Sequence, residues 1–438
     1  MRRRTSFALS ALSVVALSGT AWAVQPHDTS GLRLPVAAGV VVAPTEVRPA
    51  AALLRAGSPS SDLGERVRAA LAASGATTVS AAVDVDGLGE VLRHDAAHAL
   101  PPASTQKSFL GVAALLGLPP KARFTTEIAA RTTPTAGRLP GSLWLVAGGD
   151  PYLTKTGLRA LARSVRSAGI TYATGDLLLD DSRYDARRRV SGWKAEYVPE
   201  QSGPLSALVV DRNAWRRDSA FLSDPAVPIT FLFREYLKAE GVTVHGVIRR
   251  NRRPVDARTV AATASGPIAD VLRRALKSSD NFASELVLKE VGKVVKGEGS
   301  SPAGSSAVAQ LLSGQGVPVG PGTDGSGLSS LDRQTTSGQI ALLRAAERSA
   351  DAGAAFRRAL PIACRDGTLE KRMCSSAASG RLSAKTGTLP GVRTLAGYTT
   401  TASGRKAWFA FQLTGVRDGL AARNAIDRAA IELAAAPE

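Results

Sequence analysis

The hydrophobic positions of the chain change their period several times, and each change predicts a different kind of element. Leu63, Val67 and Leu71 recur at helical spacing, and the run TTVSAAVDVDG then alternates as a strand does before an Asp-Gly turn. The next run, LPPASTQKSFLGVAALLGLPP, is apolar on nearly all sides and is bounded by proline pairs. The pattern therefore predicts a helix, then strands, then a helix buried in the centre of a domain.

Residues 121–262 follow a different pattern. Their apolar runs are short and are interrupted by Gly, Pro and Asp; the clearest are GSLWLVAGG, TGDLLLDD, PLSALVVDR and GVTVHGVIRR. Runs of this length with such punctuation are typical of strands. We predict a β-rich inserted domain or domains at 121–262, which interrupts a main domain formed by 58–120 and 263–438.

Helical spacing returns after the inserted region. It is clearest in IADVLRRALKSSDNFASELVLKEVGKVV and SGQIALLRAAERSA. Two strand-like runs, RTLAGYTTT and RKAWFAFQLTG, follow with a short turn between them, and the helical run DGLAARNAIDRAAIELAAA comes last. The predicted fold class is α/β of the α+β kind, with an antiparallel sheet flanked by helices and interrupted by a large β-rich insertion.

The first residues have the pattern of a secretory signal peptide. Three arginines precede an apolar run too short to span a bilayer, and Ala21-Trp22-Ala23 is a small-x-small cleavage site. We expect a signal peptide at 1–23 and a linker or poorly ordered arm at 24–57, which is rich in Pro, Ala and Val. The protein is then exported to the periplasm or the extracellular cell envelope without a transmembrane anchor, by a Sec or a twin-arginine route.

Composition and charge narrow the possible partners. The 438 residues are 44% hydrophobic and 21% charged, as in globular proteins, and the net charge of +18 is spread along the chain. Such a charge attracts anionic wall polymers, or it is simply a solvated surface. Export and the lack of a nucleic-acid-binding signature argue against a nucleic-acid partner.

Two cysteines, Cys364 and Cys374, stand ten positions apart. Export permits oxidation, so we expect a local disulfide, with a pair of free buried thiols as the alternative. The spacing lacks the histidines or the second cysteine pair of a zinc site, and the sequence predicts no metal.

Serine followed three positions later by lysine is the strongest candidate for chemistry. On a helix this spacing puts both side chains on one face, so that lysine can accept the proton of serine. Three such pairs occur: Ser104…Lys107, Ser191…Lys194 and Ser403…Lys406. Only Ser104 begins a predicted helix, where the free N–H of Ser104 can stabilise an oxyanion and where burial and the helix dipole favour neutral Lys107.

A second motif, Ser279-Asp280-Asn281, lies between two predicted helices. Ser279 and Asn281 can project into one cleft while Asp280 turns back to make local hydrogen bonds. A simple helix cap is the alternative interpretation of the same tripeptide.

The tripeptide Lys-Thr-Gly occurs twice, in different settings. Lys155-Thr156-Gly157 follows Thr154, a good N-cap, and predicts the first turn of a surface helix. Lys385-Thr386-Gly387-Thr388 precedes a Pro-Gly turn and a strand, and predicts an exposed strand edge. There the missing side chain of Gly387 lets substrate approach the backbone, and the N–H of Thr388 completes an oxyanion hole with the N–H of Ser104.

Other catalytic patterns are absent or out of context. The four histidines have no metalloprotease spacing, and His98, the one nearest Ser104 in sequence, is expected at the surface. GPGTDG at 320–325 fits a dinucleotide fingerprint in letters only, because it holds a proline and opens no helix after a strand.

Taken in order, the three motifs resemble those of penicillin-binding proteins and class A β-lactamases. Ser279 lies 175 positions after Ser104, and Lys385 a further 106 positions on. The long first interval is typical of the low-molecular-mass, class C D-alanyl-D-alanine carboxypeptidase/endopeptidase family, peptidase family S13. Flanking stretches such as GSLWLVAGGDPYL, TDGSGLSSLDRQT and LPIACRDGTLEKRM also resemble that family. The likeness covers roughly residues 62–430.

The resemblance implies a penicillin-binding, β-lactamase-like transpeptidase domain and a role for each motif residue. Ser104 is expected as nucleophile and Lys107 as its proton acceptor, with Ser279 and Asn281 orienting substrate and relaying protons. Lys385 and Thr386 are expected to bind the terminal carboxylate. The implied partners are peptidoglycan peptides ending in D-Ala-D-Ala and β-lactams as covalent inhibitors, with no cofactor.

Two other functions stay open from sequence. A β-lactamase can use the same scaffold, and a non-catalytic protein can bind anionic wall polymers through its positive charge. Sequence also leaves open whether the amide cut is a terminal one or a cross-link, which residue stands third in the stem peptide, and what the inserted region does.

Overall fold

The computed structural model describes residues 59–437, with side chains from Asp62 onward. The predicted signal peptide at 1–23 and arm at 24–57 lie outside the described residues. The strands, numbered along the chain, are β1 (Thr78–Val85), β2 (Gly89–His94), β3 (Thr125–Ala130), β4 (Arg138–Leu139), β5 (Leu143–Val146), β6 (Tyr172–Ala173), β7 (Leu177–Asp180), β8 (Thr243–Val244), β9 (Ile248–Arg250), β10 (Arg258–Ala264), β11 (Ser383–Leu389), β12 (Val392–Thr400) and β13 (Lys406–Thr414).

The helices alternate with these strands. They are α1 (Pro59–Ala72), α2 (Gln106–Gly117), α3 (Lys155–Ser167), α4 (Tyr197–Glu200), α5 (Ser219–Ser223), α6 (Ala226–Ala239), α7 (Ile268–Lys277), α8 (Asn281–Lys296), α9 (Ser301–Ser313), α10 (Thr336–Arg348), α11 (Ala350–Ala359) and α12 (Gly419–Ala435). The predicted central helix is α2, entered through a short 3₁₀ turn at Ala103–Thr105.

The first sheet has five antiparallel strands in the order β11-β12-β13-β1-β2. Its two faces are both covered, since alternate residues of β13 enter different cores. Trp408 and Ala410 pack in the core that contains α2, α7, α8 and α10. Phe409 and Phe411 pack in the core that contains α1 and α12. The antiparallel sheet flanked by helices is therefore confirmed, and the sheet joins strands from both ends of the chain.

The inserted region holds two further sheets, in the orders β10-β3-β5-β7-β9 and β4-β6-β8. The predicted strand runs GSLWLVAGG and TGDLLLDD contain β5 and β7, and GVTVHGVIRR contains β8 and β9. Helices α3 and α6 also pack there, and the core of the region includes Phe282 and Leu286 of α8. The boundaries of an inserted domain at 121–262 stay a prediction, because side chains of α8 are shared between the two parts.

The strand predicted within PLSALVVDR is wrong. Residues 205–210 are buried but form no strand, and the side chain of Asn213 bonds the N–H of Val210 and the carbonyl of Pro204. Asp211, Arg212 and Asn213 have φ values of 47°, 57° and 52°, a left-handed run that no strand contains. A side-chain amide thus replaces ladder hydrogen bonds and holds an apolar loop in place.

No helix within residues 59–437 is both long enough and apolar enough to cross a membrane.

Candidate active site

Ser104 stands in the tight turn that leads into α2. Ala103, directly before it, is in the left-handed region with φ of 47°, and the hydroxyl of Thr105 donates to the carbonyl of Pro102 at 2.7 Å. This turn leaves Ser104 half-buried, whereas Lys107, one turn further on, is wholly buried. The helix thus presents the hydroxyl to a cleft and keeps the amine behind it.

Lys107 is the centre of the hydrogen-bond arrangement. Its Nζ lies 3.0 Å from Ser104 Oγ and 2.8 Å from Asn281 Oδ1, and it donates to the carbonyl of Ser326 at 2.5 Å. An ammonium group has three N–H donors, and all three have an acceptor here. The amine is therefore held in one direction, against the serine hydroxyl.

Burial makes Lys107 easier to deprotonate. Desolvation lowers the pKa of Lys107 to about 8, although the nearby carboxylates of Asp324, Glu285, Asp280 and Asp332 favour its protonated form. A lysine with this pKa is neutral in part at the pH of most cells, and a neutral amine can accept a proton from a hydroxyl.

Ser279, Asp280 and Asn281 occupy the break between α7 and α8, as the sequence predicts. Ser279 has φ of 56°, and the Asp280 side chain turns back to cap α8 by accepting the N–H of Ala283 at 3.1 Å. Arg212 also donates to Asp280, at 2.9 Å. Both the cleft interpretation and the cap interpretation of the tripeptide hold, since Asp280 caps the helix while Ser279 and Asn281 face the two lysines.

Two contacts to the inserted region orient this motif. Asn281 Nδ2 donates to the carbonyl of Gln201 at 3.1 Å while its Oδ1 accepts from Lys107. Arg212, in the left-handed run, reaches Asp280, whose side chain is only 4% exposed. The amide of Asn281 therefore has both its oxygen and its nitrogen fixed.

Lys385 lies on β11, the edge strand of the first sheet, and connects the Lys-Thr-Gly motif to the Ser279-Asp280-Asn281 motif. Its Nζ donates to Ser279 Oγ at 2.9 Å and to the carbonyl of Thr386 at 2.8 Å. The side chain is fully buried, and burial together with the charge of Lys107 holds the pKa of Lys385 well below its usual range. The strand edge was predicted to be exposed, but Lys385, Thr386 and Gly387 are buried and the exposed residue is Thr388.

Gly387 allows β11 to lie against the turn that carries Ser104. A Cβ at this position would stand 2.0 Å from Thr394 Oγ1 and 3.0 Å from the carbonyl of Pro102. Gly387 was predicted to let substrate approach the backbone, and the packing of Thr394 and Pro102 also excludes a side chain there. Exposed Thr388 follows at the mouth of the cleft.

Two of the other motif copies lie elsewhere, whereas Lys194 of the Ser191…Lys194 pair lines the cavity beside Thr388. Lys155 begins α3, Thr154 caps that helix by accepting the N–H of Gly157 at 3.1 Å, and Lys155 Nζ lies over the ring of Trp215. Lys406 begins β13 and forms an ion pair with Glu347 at 3.1 Å. Neither lysine is among the contacts of Ser104 or Ser279 in residues 59–437.

Three residues near the site were not predicted from the sequence. The carbonyl of Ser326 accepts a hydrogen bond from Lys107 Nζ, and the carboxylate of Glu285 accepts one from the N–H of Ser326. Thr368 Oγ1 lies 2.8 Å from Thr386 Oγ1. Ser326 and Thr368 stand in TDGSGLSSLDRQT and LPIACRDGTLEKRM, which carry the family likeness. Both are small polar residues in stretches that resemble the family, and sequence alone assigned neither of them a role.

Cys364 and Cys374 are disulfide-bonded, with Cα atoms 4.9 Å apart. The loop they close carries Thr368, which contacts the Lys-Thr-Gly strand. In the described part of the chain, no group of three or more His, Cys, Asp or Glu residues could hold a metal ion. A cavity of about 570 Å³ adjoins Thr388 and is lined also by Lys194, Glu196 and Gln201.

The fold is that of penicillin-binding proteins. Penicillin-binding protein 4 from Haemophilus influenzae superposes with a TM-score of 0.76 at 23% sequence identity, over 83% of this chain and 97% of that one. The penicillin G-acylated predatory endopeptidase Bd3459 from Bdellovibrio bacteriovorus, in complex with an immunity protein, gives a TM-score of 0.57 at 16% identity, over 82% and 94%.

The sequence comparisons assign the chain to one family within this fold. The model of the D-Ala-D-Ala carboxypeptidase 3 (S13) family matches residues 61–221 and 217–436, and the chain belongs to that family. The D-alanyl-D-alanine carboxypeptidase of Actinomadura sp. (strain R39) is 29% identical over 436 residues, covering 80% of this chain and 81% of the relative. DacB of Haemophilus influenzae is 26% identical, covering 72% and 81%.

Proposed function

We propose that this protein is a serine-type D-Ala-D-Ala carboxypeptidase that acts on peptidoglycan stem peptides through an acyl-enzyme on Ser104. One observation carries the proposal. Lys107 Nζ joins Ser104 Oγ to Asn281 Oδ1, while Lys385 Nζ contacts Ser279 Oγ. Two buried amines and two hydroxyls thus meet at one cleft, where a neutral amine can activate a serine nucleophile without a metal.

In the acylation step Lys107 accepts the proton of Ser104, and Ser104 Oγ attacks the carbonyl carbon of the amide between the two D-alanines. The N–H groups of Ser104 and Thr388 stabilise the oxyanion that forms. The C–N bond then breaks, and the proton passes from Lys107 through the Ser279 hydroxyl to the departing amine. The products are free D-alanine and an ester on Ser104.

Lys385 and Thr386 are proposed to bind the terminal carboxylate of the substrate. Lys385 is buried and, within residues 59–437, has no carboxylate among its contacts, so a substrate carboxylate would supply the opposite charge. Asn281, fixed by Lys107 and by Gln201, orients the substrate amide. The rest of the stem peptide has room in the cavity beside Thr388.

In the second half-reaction water attacks the ester with Lys107 as base, and Ser104 recovers its proton. A β-lactam presents a similar amide and carboxylate, so it acylates Ser104, but its opened ring remains attached and slows hydrolysis. We therefore propose that the protein binds penicillin covalently. A peptide cross-link presents the same D-alanyl amide, and endopeptidase activity belongs to the same proposal.

We also propose that the protein is exported to the cell envelope, with cleavage after Ala23. The supporting observations are the signal-peptide pattern at 1–23 and a substrate class that occurs outside the cytoplasm. The N-terminal sequence of the protein recovered from cells tests this directly, because an intact Met1 would contradict export by cleavage.

Release of D-alanine tests the function. We expect wild-type protein to release one D-alanine from a blocked tripeptide ending in D-Ala-D-Ala, and Ser104→Ala to release none above background. A wild type that turns over penicillin rapidly and leaves the peptide intact would instead favour the β-lactamase alternative. A wild type inactive on both would remove the enzyme hypothesis.

A further inference from the structure

Glu285 is a buried carboxylate that none of the proposed chemical steps uses. It lies on α8, four positions after Asn281, and its side chain is wholly buried. Its Oε1 accepts the N–H of Gly325 at 3.0 Å and of Ser326 at 2.8 Å, whereas Oε2 has no hydrogen-bond partner in the described structure. A buried carboxylate that is only half satisfied costs stability, so its presence calls for a reason.

The bonds of Glu285 lead directly to Lys107. The N–H of Ser326 is bound by Glu285, and the carbonyl of the same residue accepts from Lys107 Nζ at 2.5 Å. Since the other two protons of Lys107 go to Ser104 and Asn281, this carbonyl fixes the remaining direction of the amine. Moving Ser326 would let the amine rotate away from the serine hydroxyl.

The turn that carries Ser326 is held on its opposite side by Asp324. That carboxylate accepts the N–H of Gly327 at 2.6 Å, the N–H of Ser329 at 2.9 Å and the indole N–H of Trp193 at 2.8 Å. Gly327 has φ of 79°, and a Cβ on it would stand 1.9 Å from the carbonyl of Ala103. The turn is therefore packed directly against the residue before Ser104, with one carboxylate on each side.

Charge gives Glu285 a second effect on Lys107. The charged and titratable groups that face Lys107 are Asp280 at the N-cap of α8, Glu285 from α8, Asp324 and Asp332 from the 324–332 loop, and Lys385 from β11. Burial raises the pKa of Glu285 to about 8, close to that of Lys107. Glu285 is ionised mainly above that pH, where its charge is one of the attractions that keep Lys107 protonated. Loss of the charge should therefore lower the pKa of Lys107 in the upper part of the titration.

We propose that Glu285 is a positioning residue for the proposed acyl transfer: it holds the Gly325–Ser326 turn so that the Ser326 carbonyl aims Lys107 at Ser104. This inference rests on the proposed function. A carboxylate that only stabilises the fold would change the melting temperature and leave the pH dependence of acylation unchanged.

The test compares Glu285→Gln, Glu285→Ala and the control Glu290→Gln. Glu290 lies on the same helix, is also buried, and bonds Arg183 and Tyr184 of the inserted region, away from the contacts of Lys107. The second-order rate constant for acylation by penicillin is measured from pH 6 to pH 10. Thermal unfolding of each variant reports stability separately.

Glutamine keeps an oxygen acceptor for the two N–H groups but carries no charge. We expect the rising limb of the pH profile in Glu285→Gln to move to lower pH by about half a unit or more. Glu285→Ala should lose the turn, and its acylation rate should fall by about 10–100-fold at every pH. Glu290→Gln should keep the wild-type profile even if its melting temperature falls.

Two results overturn the proposal. One is a folded Glu285→Ala that acylates at the wild-type rate or, should that variant fail to fold, a folded Glu285→Gln whose pH profile equals that of the wild type. The other is an equal shift in Glu290→Gln, which would make the effect a general one of buried charge. In both cases the wild type still labels on Ser104, so these failures are distinct from a failure of the proposed function, in which the wild type does not label.

Discussion

At the residue scale, two buried lysines have different surroundings, and we propose a different task for each. Lys107 contacts a hydroxyl, an amide oxygen and a carbonyl, so it is placed to exchange a proton with Ser104. Lys385 contacts a hydroxyl and a carbonyl at the edge of the sheet. A carboxylate arriving at that edge would find an amine that has no carboxylate among its contacts in the described residues, and the carboxylate would favour the protonated form of that amine. At Lys107 every donor is already in use.

The pH dependence of acylation follows from the pKa of about 8 for Lys107. Below that pH the amine is protonated and cannot accept the Ser104 proton, so the acylation rate should rise with pH, reach half its maximum near pH 8 and then level off. Stopped-flow or quenched labelling by penicillin from pH 6 to pH 10 measures this profile. A rate that falls steadily with pH would contradict the role of Lys107 as base.

The two Lys-Thr-Gly copies provide a matched pair of variants. Lys385→Met should lower kcat/KM for a peptide ending in D-Ala-D-Ala by about 100-fold or more, because the carboxylate loses its buried cation. Lys155→Met changes the same residue type at a helix start and should leave kcat/KM within about twofold, consistent with a partly exposed cation–π contact. Equal losses in both variants would contradict the assignment.

Much of the proposed site could be predicted from short motifs, because each motif places its residues a few positions apart at the start of a predicted helix or strand. Ser104 and Lys107 share one helix face, and Ser279 and Asn281 flank a capping aspartate, so their directions follow from local geometry. Glu285 and Ser326 meet across 41 positions of sequence, and nothing local indicates that contact. Residues whose role arises from tertiary packing were accordingly missed.

At the scale of elements, α8 connects the site to the inserted region. Its first residue, Asn281, enters the site, while Lys289 and Glu290 bind Asp185 and Arg183 further along. Phe282 and Leu286 pack in the core of the inserted region. The inserted region therefore supports the helix that carries the second motif, in addition to the contacts of Gln201 and Arg212.

Asp185→Ala tests the strength of this connection. Lys289 is 1% exposed, so the variant leaves a buried cation without its carboxylate, and the free energy of unfolding should fall by about 3 kcal/mol. Glu200→Ala removes an ion pair whose partners are 57% and 63% exposed, and should cost less than about 0.5 kcal/mol. Urea unfolding measures both, and equal effects would contradict a buried ion pair at Lys289.

Elements with a clear period were predicted and the irregular ones were not. The runs that became α2, α8, β12 and β13 are continuous over several residues, and nearly all residues of β12 and β13 and long stretches of α2 and α8 are buried. PLSALVVDR is also apolar, but it is buried as a loop: Asn213 bonds the N–H of Val210 and the carbonyl of Pro204, and other loops bond Leu205 and Ala207. Apolar composition predicts that a run is buried, whereas the partners of its backbone N–H and C=O groups determine whether it forms a strand, a helix or a loop.

At the scale of the whole molecule, the net charge of +18 separates the enzyme from the alternative binding function. Attachment to anionic wall polymers would be electrostatic and should weaken strongly between about 0.05 M and 0.5 M salt, because the screening length shortens. Acylation of Ser104 uses buried groups and should change by less than about threefold over the same range. Co-sedimentation with walls and penicillin labelling, measured on the same samples, compare the two.

Covalent labelling by a fluorescent penicillin tests the central claim most directly, with intact mass and peptide mapping to locate the adduct. The account predicts one durable adduct on Ser104 in the wild type, no labelling of Ser104→Ala and normal labelling of Lys155→Ala. A folded wild type that takes no label, or an adduct that persists in Ser104→Ala, would contradict it.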